Sequence, residues 1–196
     1  MHDLGVRGVR VNLQTTGQRP NRAQLRKLLA EHANKIRPYG WVLQLYIPLD
    51  QIALVAEDFP ALGVPVVLDH LGAPLETAPP YKQAGYNELM RLLEERKVYV
   101  KLSGTYRFPK MPDLEDYVRE ILRVGPTQVV WASDWPHSGG VEANPGGDRT
   151  KIQDYRKVDI PGFVADCKRW CGGDEKLIRK IWVENPRRLW QYDAQD

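Results

Sequence analysis

The chain has 196 residues, enough for one domain with a substantial core. Its 28 Lys and Arg against 25 Asp and Glu give a net charge of +3, too even a balance to argue for nucleic-acid or membrane-surface partners. No apolar run approaches the roughly 20 residues of a membrane span, and the opening MHDLGVRGVRVNL lacks the apolar stretch of a signal peptide.

Short apolar runs alternate with longer amphipathic ones along the chain. GVRGVRVNL, 5–13, reads as a strand, and 21–40 as a helix with Asn21 as N-cap and Gly40 as its stop. WVLQLYI, 41–47, is a strand, and 49–63 is a helix cut near Pro60. VPVVLDHLG, 64–72, is a strand, followed by a helix over 81–97 and the strand VYVKLSG, 98–104. A helix over 113–125 leads to the strand TQVVWASD, 127–134. The long polar stretch 138–158 reads as an active-site or surface loop. Helices over 160–171 and 174–183 precede the closing NPRRLW. Cys167 and Cys171 fall on the first of these without a second ligand pair, so they read as reduced thiols rather than zinc ligands. That favours a reducing compartment such as the cytoplasm.

Five strands separated by helices signal a parallel α/β sheet of βαβ units, with no linker or repeat to divide residues 1–196 into more than one domain. Period two assigns the strand faces. Arg10 and Asn12 oppose Val9 and Val11; Gln44 and Tyr46 oppose Leu43 and Leu45; Lys101 and Ser103 oppose Val100 and Leu102. Asp134 shares a face with Ala132 and Val130. His70 shares one with Leu68 and Val66, which turns Asp69 toward the helices to cap a nearby amide. Polar residues thus gather at the C-terminal ends of the strands, the mouth of a (β/α) barrel, where such folds carry their chemistry.

His70 and Asp134 are the leading pair. A carboxylate and an imidazole at neighbouring strand ends either ligate a divalent cation or act directly, one activating water and the other polarising a carbonyl. Arg10, Tyr46, Lys101, Ser103 and Arg107 read as an anion-recognising wall. Structural ion pairs for the arginines and a snorkelling role for Lys101 are the plainer readings of the same residues.

These residues sit in GVRGVRVN, VVLDHLG, VYVKLSGTYR, VVWASDWPH and ENPRRLW. In that order they resemble the amidohydrolase superfamily, in the amidohydrolase-related group that includes pyrone dicarboxylate lactonase and sugar lactonases. The resemblance implies a distorted (β/α)8 TIM-type barrel hydrolysing a lactone, ester or amide-like bond of a small carboxylated substrate. It implies Asp134 as general base and His70 as the holder of the substrate carbonyl or of a metal. It also implies Arg10, Tyr46 and Arg107 as substrate contacts, with His137 as a further histidine at the mouth. Members of the family use one divalent cation, zinc or manganese among them, or none.

The family opens with a strand carrying His-x-His, whereas the histidines here are His2, His32, His70 and His137. With about five βα units in place of eight, the expectation is a barrel lacking its first two or three units. Its chemistry would be impaired, and its open sheet edges would favour association. Inward side chains such as Val66, Leu68 and Val130 would then meet water. Two other readings stand beside the lactone hydrolase: an inactive relic that binds a small anion, and a metal-dependent decarboxylase of aromatic acids.

Overall fold

Alternating apolar side chains let each strand present one face to a helix layer. Strands β1 (Gly8–Asn12), β2 (Val42–Tyr46), β3 (Val66–Leu68), β4 (Tyr99–Leu102) and β5 (Val129–Trp131) pair in chain order, every pair parallel. Helices α1 (Arg22–Ile36), α2 (Leu49–Val55), α3 (Tyr86–Glu94) and α4 (Leu114–Val124) make the crossovers that parallel pairing requires. The order is that of a barrel wall wound in one direction. The structure is a computed structural model, which describes residues 1–140, 143–148 and 150–192.

Local chemistry sets the element ends. Asn21 caps α1 in a reciprocal box with Gln24, each side chain bonding the other's backbone N–H at 3.0 Å. The 3-10 turn Arg37–Tyr39 then stops at Gly40, whose φ of 63° favours glycine. The predicted helix 49–63 stays α-helical only to Val55 and tightens to a 3-10 helix over Ala56–Leu62. Pro60 lies four residues after Ala56, where its ring would crowd an α-helical carbonyl.

The core lies between sheet and helices. Val11, Leu43, Leu45, Val66, Leu68, Val100, Leu102 and Val129 form one apolar cluster with Leu25, Leu29, Ile52, Leu89, Leu92, Val118 and Ile121. Trp131 extends it, stacked between Phe163 of α5 (Ile160–Trp170) and Trp182, with ring centroids 6.2 and 5.8 Å away. Cys167 and Cys171 are buried there as free thiols. Beyond α5 come α6 (Glu175–Arg179), a π-helical turn over Lys180–Glu184, and α7 (Asn185–Trp190).

The opposite face of the sheet has its own floor. Val42, Val67 and Val130 are buried together with Leu189 of α7, and Tyr99 and Trp190 pack around them. Asn185 fastens α7 beneath the sheet, its Nδ2 donating to the carbonyls of Val129 at 2.7 Å and Pro126 at 3.0 Å. This corrects the expectation of a wet inner face. Val66 and Leu68 belong to the helix-side core, and Val130 is covered by Leu189, each only 1% exposed. Among the described residues no helix is long and apolar enough to cross a membrane.

Candidate active site

The site is built where β3 ends. Val67 points to the inner floor, so two residues on Asp69 points inward as well, against the sequence expectation. It makes no side-chain cap. His70 would face the helices by the same parity, but the chain turns there. His70, Leu71, Gly72 and Ala73 take φ values of 49°, 59°, 75° and 50° in succession. This left-handed turn swings the imidazole inward, and the Tyr117 hydroxyl on α4 holds it by donating to the Leu71 carbonyl at 2.7 Å.

The His70 ring is then fixed on three sides. Tyr46 meets it edge-on with centroids 4.7 Å apart. Ser103, just past β4, places its Oγ 2.9 Å from Nδ1. Asp134, beyond β5, brings Oδ1 to 3.6 Å from Nε2, a buried atom with no hydrogen-bond partner. Burial pushes the His70 pKa down to about 4 against the pull of Asp134 and Asp69, so the ring is neutral at pH 7.

Asp134 uses its two oxygens differently. Oδ2 accepts from the Tyr106 hydroxyl at 2.6 Å and from Arg107 Nε at 2.9 Å and Nη2 at 2.8 Å. Burial opposes ionisation of this carboxyl, but His70, Tyr106 and Arg107 outweigh it and hold its pKa below the usual carboxylate range. Because the His70 ring is uncharged at neutral pH, the hydroxyl and guanidinium carry that effect there. Oδ1 stays turned toward His70.

Beneath this pair lies a second cluster around Asp69, which is 1% exposed. Arg10 reaches it at 2.8 Å, Gln44 at 2.9 Å and Lys101 at 3.3 Å. Burial lowers the Lys101 pKa while Asp69 opposes the shift, and its Nζ lies 5.7 Å over the Trp190 ring. Arg10 also stacks on Tyr46 at 5.3 Å. Two hollows meet at Asp134. The outer, about 330 Å³, is lined by Arg10, Tyr46, Arg107 and Trp135, and the inner, about 310 Å³, by Asp69, His70, Lys101 and Ser103.

The structure thus brings His70, Asp134, Arg10, Tyr46, Lys101, Ser103 and Arg107 around one mouth. His137 sits behind it: its Nε2 lies 3.0 Å from the Ser133 carbonyl, and its ring meets Tyr106 edge-on at 5.6 Å. Three participants escaped the sequence reading. Gln44 carried a signal, since it shares a face with Tyr46. Asp69 was misassigned by parity, and Tyr106 sits unmarked inside VYVKLSGTYR.

A divalent cation is a poor fit to these residues. Among the described residues no three His, Cys, Asp or Glu side chains gather to hold one, whereas a catalytic zinc takes three protein ligands. His70 and Asp134 offer two, and the Arg107 cation already occupies one oxygen of Asp134.

A five-strand parallel wall with carboxylate, imidazole and guanidinium groups at its strand ends has the arrangement of one side of a (β/α) barrel. The chain belongs to the amidohydrolase family, whose profile matches residues 1–191. It is 27% identical over 202 aligned residues to a 2-pyrone-4,6-dicarboxylate hydrolase of Comamonas testosteroni, covering 97% of this chain and 61% of the relative. It is 25% identical over 194 residues to a 4-sulfomuconolactone hydrolase of Rhizobium radiobacter, covering 96% and 60%. Among solved structures, a provisionally named 2-pyrone-4,6-dicarboxylic acid hydrolase from Pseudomonas putida superposes with a TM-score of 0.71 at 28% identity, over 100% of this chain and 67% of that one. A Burkholderia multivorans amidohydrolase solved with bound zinc shares the fold at TM-score 0.72 and 17% identity, over 95% and 65%. The chain spans between 46% and 61% of the length of the curated relatives it matches.

Proposed function

We propose that this chain carries a lactone-hydrolase site. Water attacks the carbonyl carbon of a small carboxylated lactone while Asp134 Oδ1 takes its proton. The carbonyl oxygen gains negative charge beside His70 Nε2. The intermediate collapses, the ring C–O bond breaks, and the proton on Asp134 passes to the leaving alkoxide, giving a hydroxy acid. Arg10, Arg107 and Tyr46 receive the substrate's carboxylates.

The observation that carries this reading is the 3.6 Å approach of a carboxylate oxygen to an unpartnered, buried imidazole nitrogen at a barrel mouth. The two lactone hydrolases among the relatives favour the same chemistry. One core cluster running from Val11 to Ile181 supports taking residues 1–196 as a single domain.

The test is hydrolysis of 2-pyrone-4,6-dicarboxylate followed by proton release. Asp134→Asn is expected to reduce kcat at least about 100-fold, the lower end of what a positioned general base contributes. Unchanged turnover ends the assignment. A second reading, an anion-binding protein without turnover, is favoured by the cations Arg10, Lys101 and Arg107 that line the two hollows. Calorimetric binding of the dicarboxylate by a chain that releases no protons would select it.

A further inference from the structure

We infer that Ser103 is a positioning residue for His70: its hydroxyl donates to Nδ1 and so keeps the ring proton on Nε2, facing the reacting carbonyl. By its place in the sequence Ser103 belongs only to the anion-recognising wall. The geometry gives its hydrogen another destination.

Ser103 is 1% exposed, and its Oγ lies 2.9 Å from His70 Nδ1. A neutral imidazole has one N–H and one lone pair, so only two arrangements exist. In the first, Nδ1–H donates to Oγ. Nε2 then turns a bare lone pair toward Asp134 Oδ1 at 3.6 Å, and two electron-rich atoms confront each other in a buried site. The serine proton is also left to seek a second acceptor. In the second, the Ser103 O–H donates to Nδ1, and Nε2–H points at the carboxylate. Both protons are then aimed at negative or lone-pair partners, and His70 Nδ1 and the Ser103 hydroxyl satisfy each other.

Two further features bear on the contact itself. Burial keeps the imidazole uncharged, so the proton count of the ring is fixed at one. The backbone beside Ser103 is also shaped for this contact. Gly104 has φ of 64°, and a Cβ there would lie 2.6 Å from His70 Nδ1. Glycine lets the serine turn approach the ring closely enough to bond it.

The 3.6 Å gap between Nε2 and Oδ1 exceeds hydrogen-bond length. It leaves Nε2–H free for the substrate oxygen and Oδ1 free for water. The proton stays on Nε2 throughout. It donates a hydrogen bond to the oxyanion, while the proton lost by water goes to Asp134. The oxyanion role rests on the lactone-hydrolase reading, but the tautomer does not.

The experiment is nitrogen NMR of the full chain, labelled with 15N-histidine, at pH 7, on the native protein, Ser103→Ala and Ser103→Thr. The native protein is expected to show His70 with an unprotonated, hydrogen-bonded Nδ1 and a protonated Nε2. Ser103→Thr should keep that pattern. Ser103→Ala leaves Nδ1 without a donor, and proton density is expected to appear on it. On the lactone, Ser103→Ala should lower kcat tenfold or more with KM little changed, and Ser103→Thr should restore most of it. A native ring protonated on Nδ1 overturns the inference even if Ser103→Ala fails to fold. So does Ser103→Ala with Nδ1 still bare and turnover unaltered. A native protein with the inferred tautomer but no lactone turnover overturns the functional reading and leaves the tautomer standing.

Discussion

At Asp134, two oxygens of one carboxylate have separate work. Tyr106 and Arg107 take Oδ2 as acceptor, so in the proposed mechanism proton abstraction falls to Oδ1. The same contacts hold its pKa below the usual carboxylate range. That depression has a sign: the carboxylate's contribution to stability is present above the unfolded pKa and lost as pH falls through the lower folded value. Removing the 2.6 Å bond in Tyr106→Phe therefore raises the Asp134 pKa. The acid limb of kcat/KM should move to higher pH, with the plateau at neutral pH nearly preserved. A pH–rate profile of the variant against the native protein checks this. An unmoved acid limb would mean that Tyr106 does not set the basicity of Asp134.

The end of β3 is the element on which the site turns. Four consecutive left-handed residues, three of them not glycine, bring His70 inward beside Asp69. Such backbone costs of order 1–3 kcal/mol per strained residue and persists only where surroundings enforce it. Here the Tyr117 bond to Leu71 and the Ser103 bond to His70 do so. Gly104 guards the second of these. Gly104→Ala adds a Cβ 2.6 Å from His70 Nδ1 at a φ of 64°, so both the local backbone and the imidazole must shift. We expect it to lower stability by about 1–3 kcal/mol and to depress turnover further than the fraction unfolded explains. Urea denaturation together with single-turnover kinetics separates the two effects.

This element also marks where the sequence stops being readable. Alternation placed the faces of β1, β2, β4 and β5 correctly, because each runs straight into its polar end. It failed at β3, a strand of three residues whose turn is enforced by a tyrosine 46 positions away. His70, Ser103, Arg107 and Asp134 were legible as strand-end polar residues. Asp69 was not, because the strand was oriented by His70, the residue at which the alternation breaks. Tyr106 was not, because nothing in its spacing separates it from the neighbouring polar residues of the same turn.

On the scale of the whole molecule, the open question in the sequence was how a five-strand wall keeps its inner face dry. The answer lies at the other end of the chain. NPRRLW folds as α7, Asn185 ties it to the start of β5, and Leu189 completes a floor with Val42, Val67 and Val130. The apolar floor in turn supports the buried Asp69 and the half-buried Lys101, since Trp190 packs beside it with its ring under the lysine. If the floor has this role, Leu189→Ala should open a cavity in a cluster with few other members to close it. Removing a buried leucine side chain costs about 2–5 kcal/mol, a large part of a typical net stability of roughly 5–15 kcal/mol. The expected result is a lower urea midpoint with an unchanged slope, the mark of reduced stability rather than an altered unfolded state. Because Leu189 touches neither hollow of the site, turnover per folded molecule should be retained. A loss below about 0.5 kcal/mol, the scale of ordinary surface substitutions, would mean that α7 lies against the sheet without closing it.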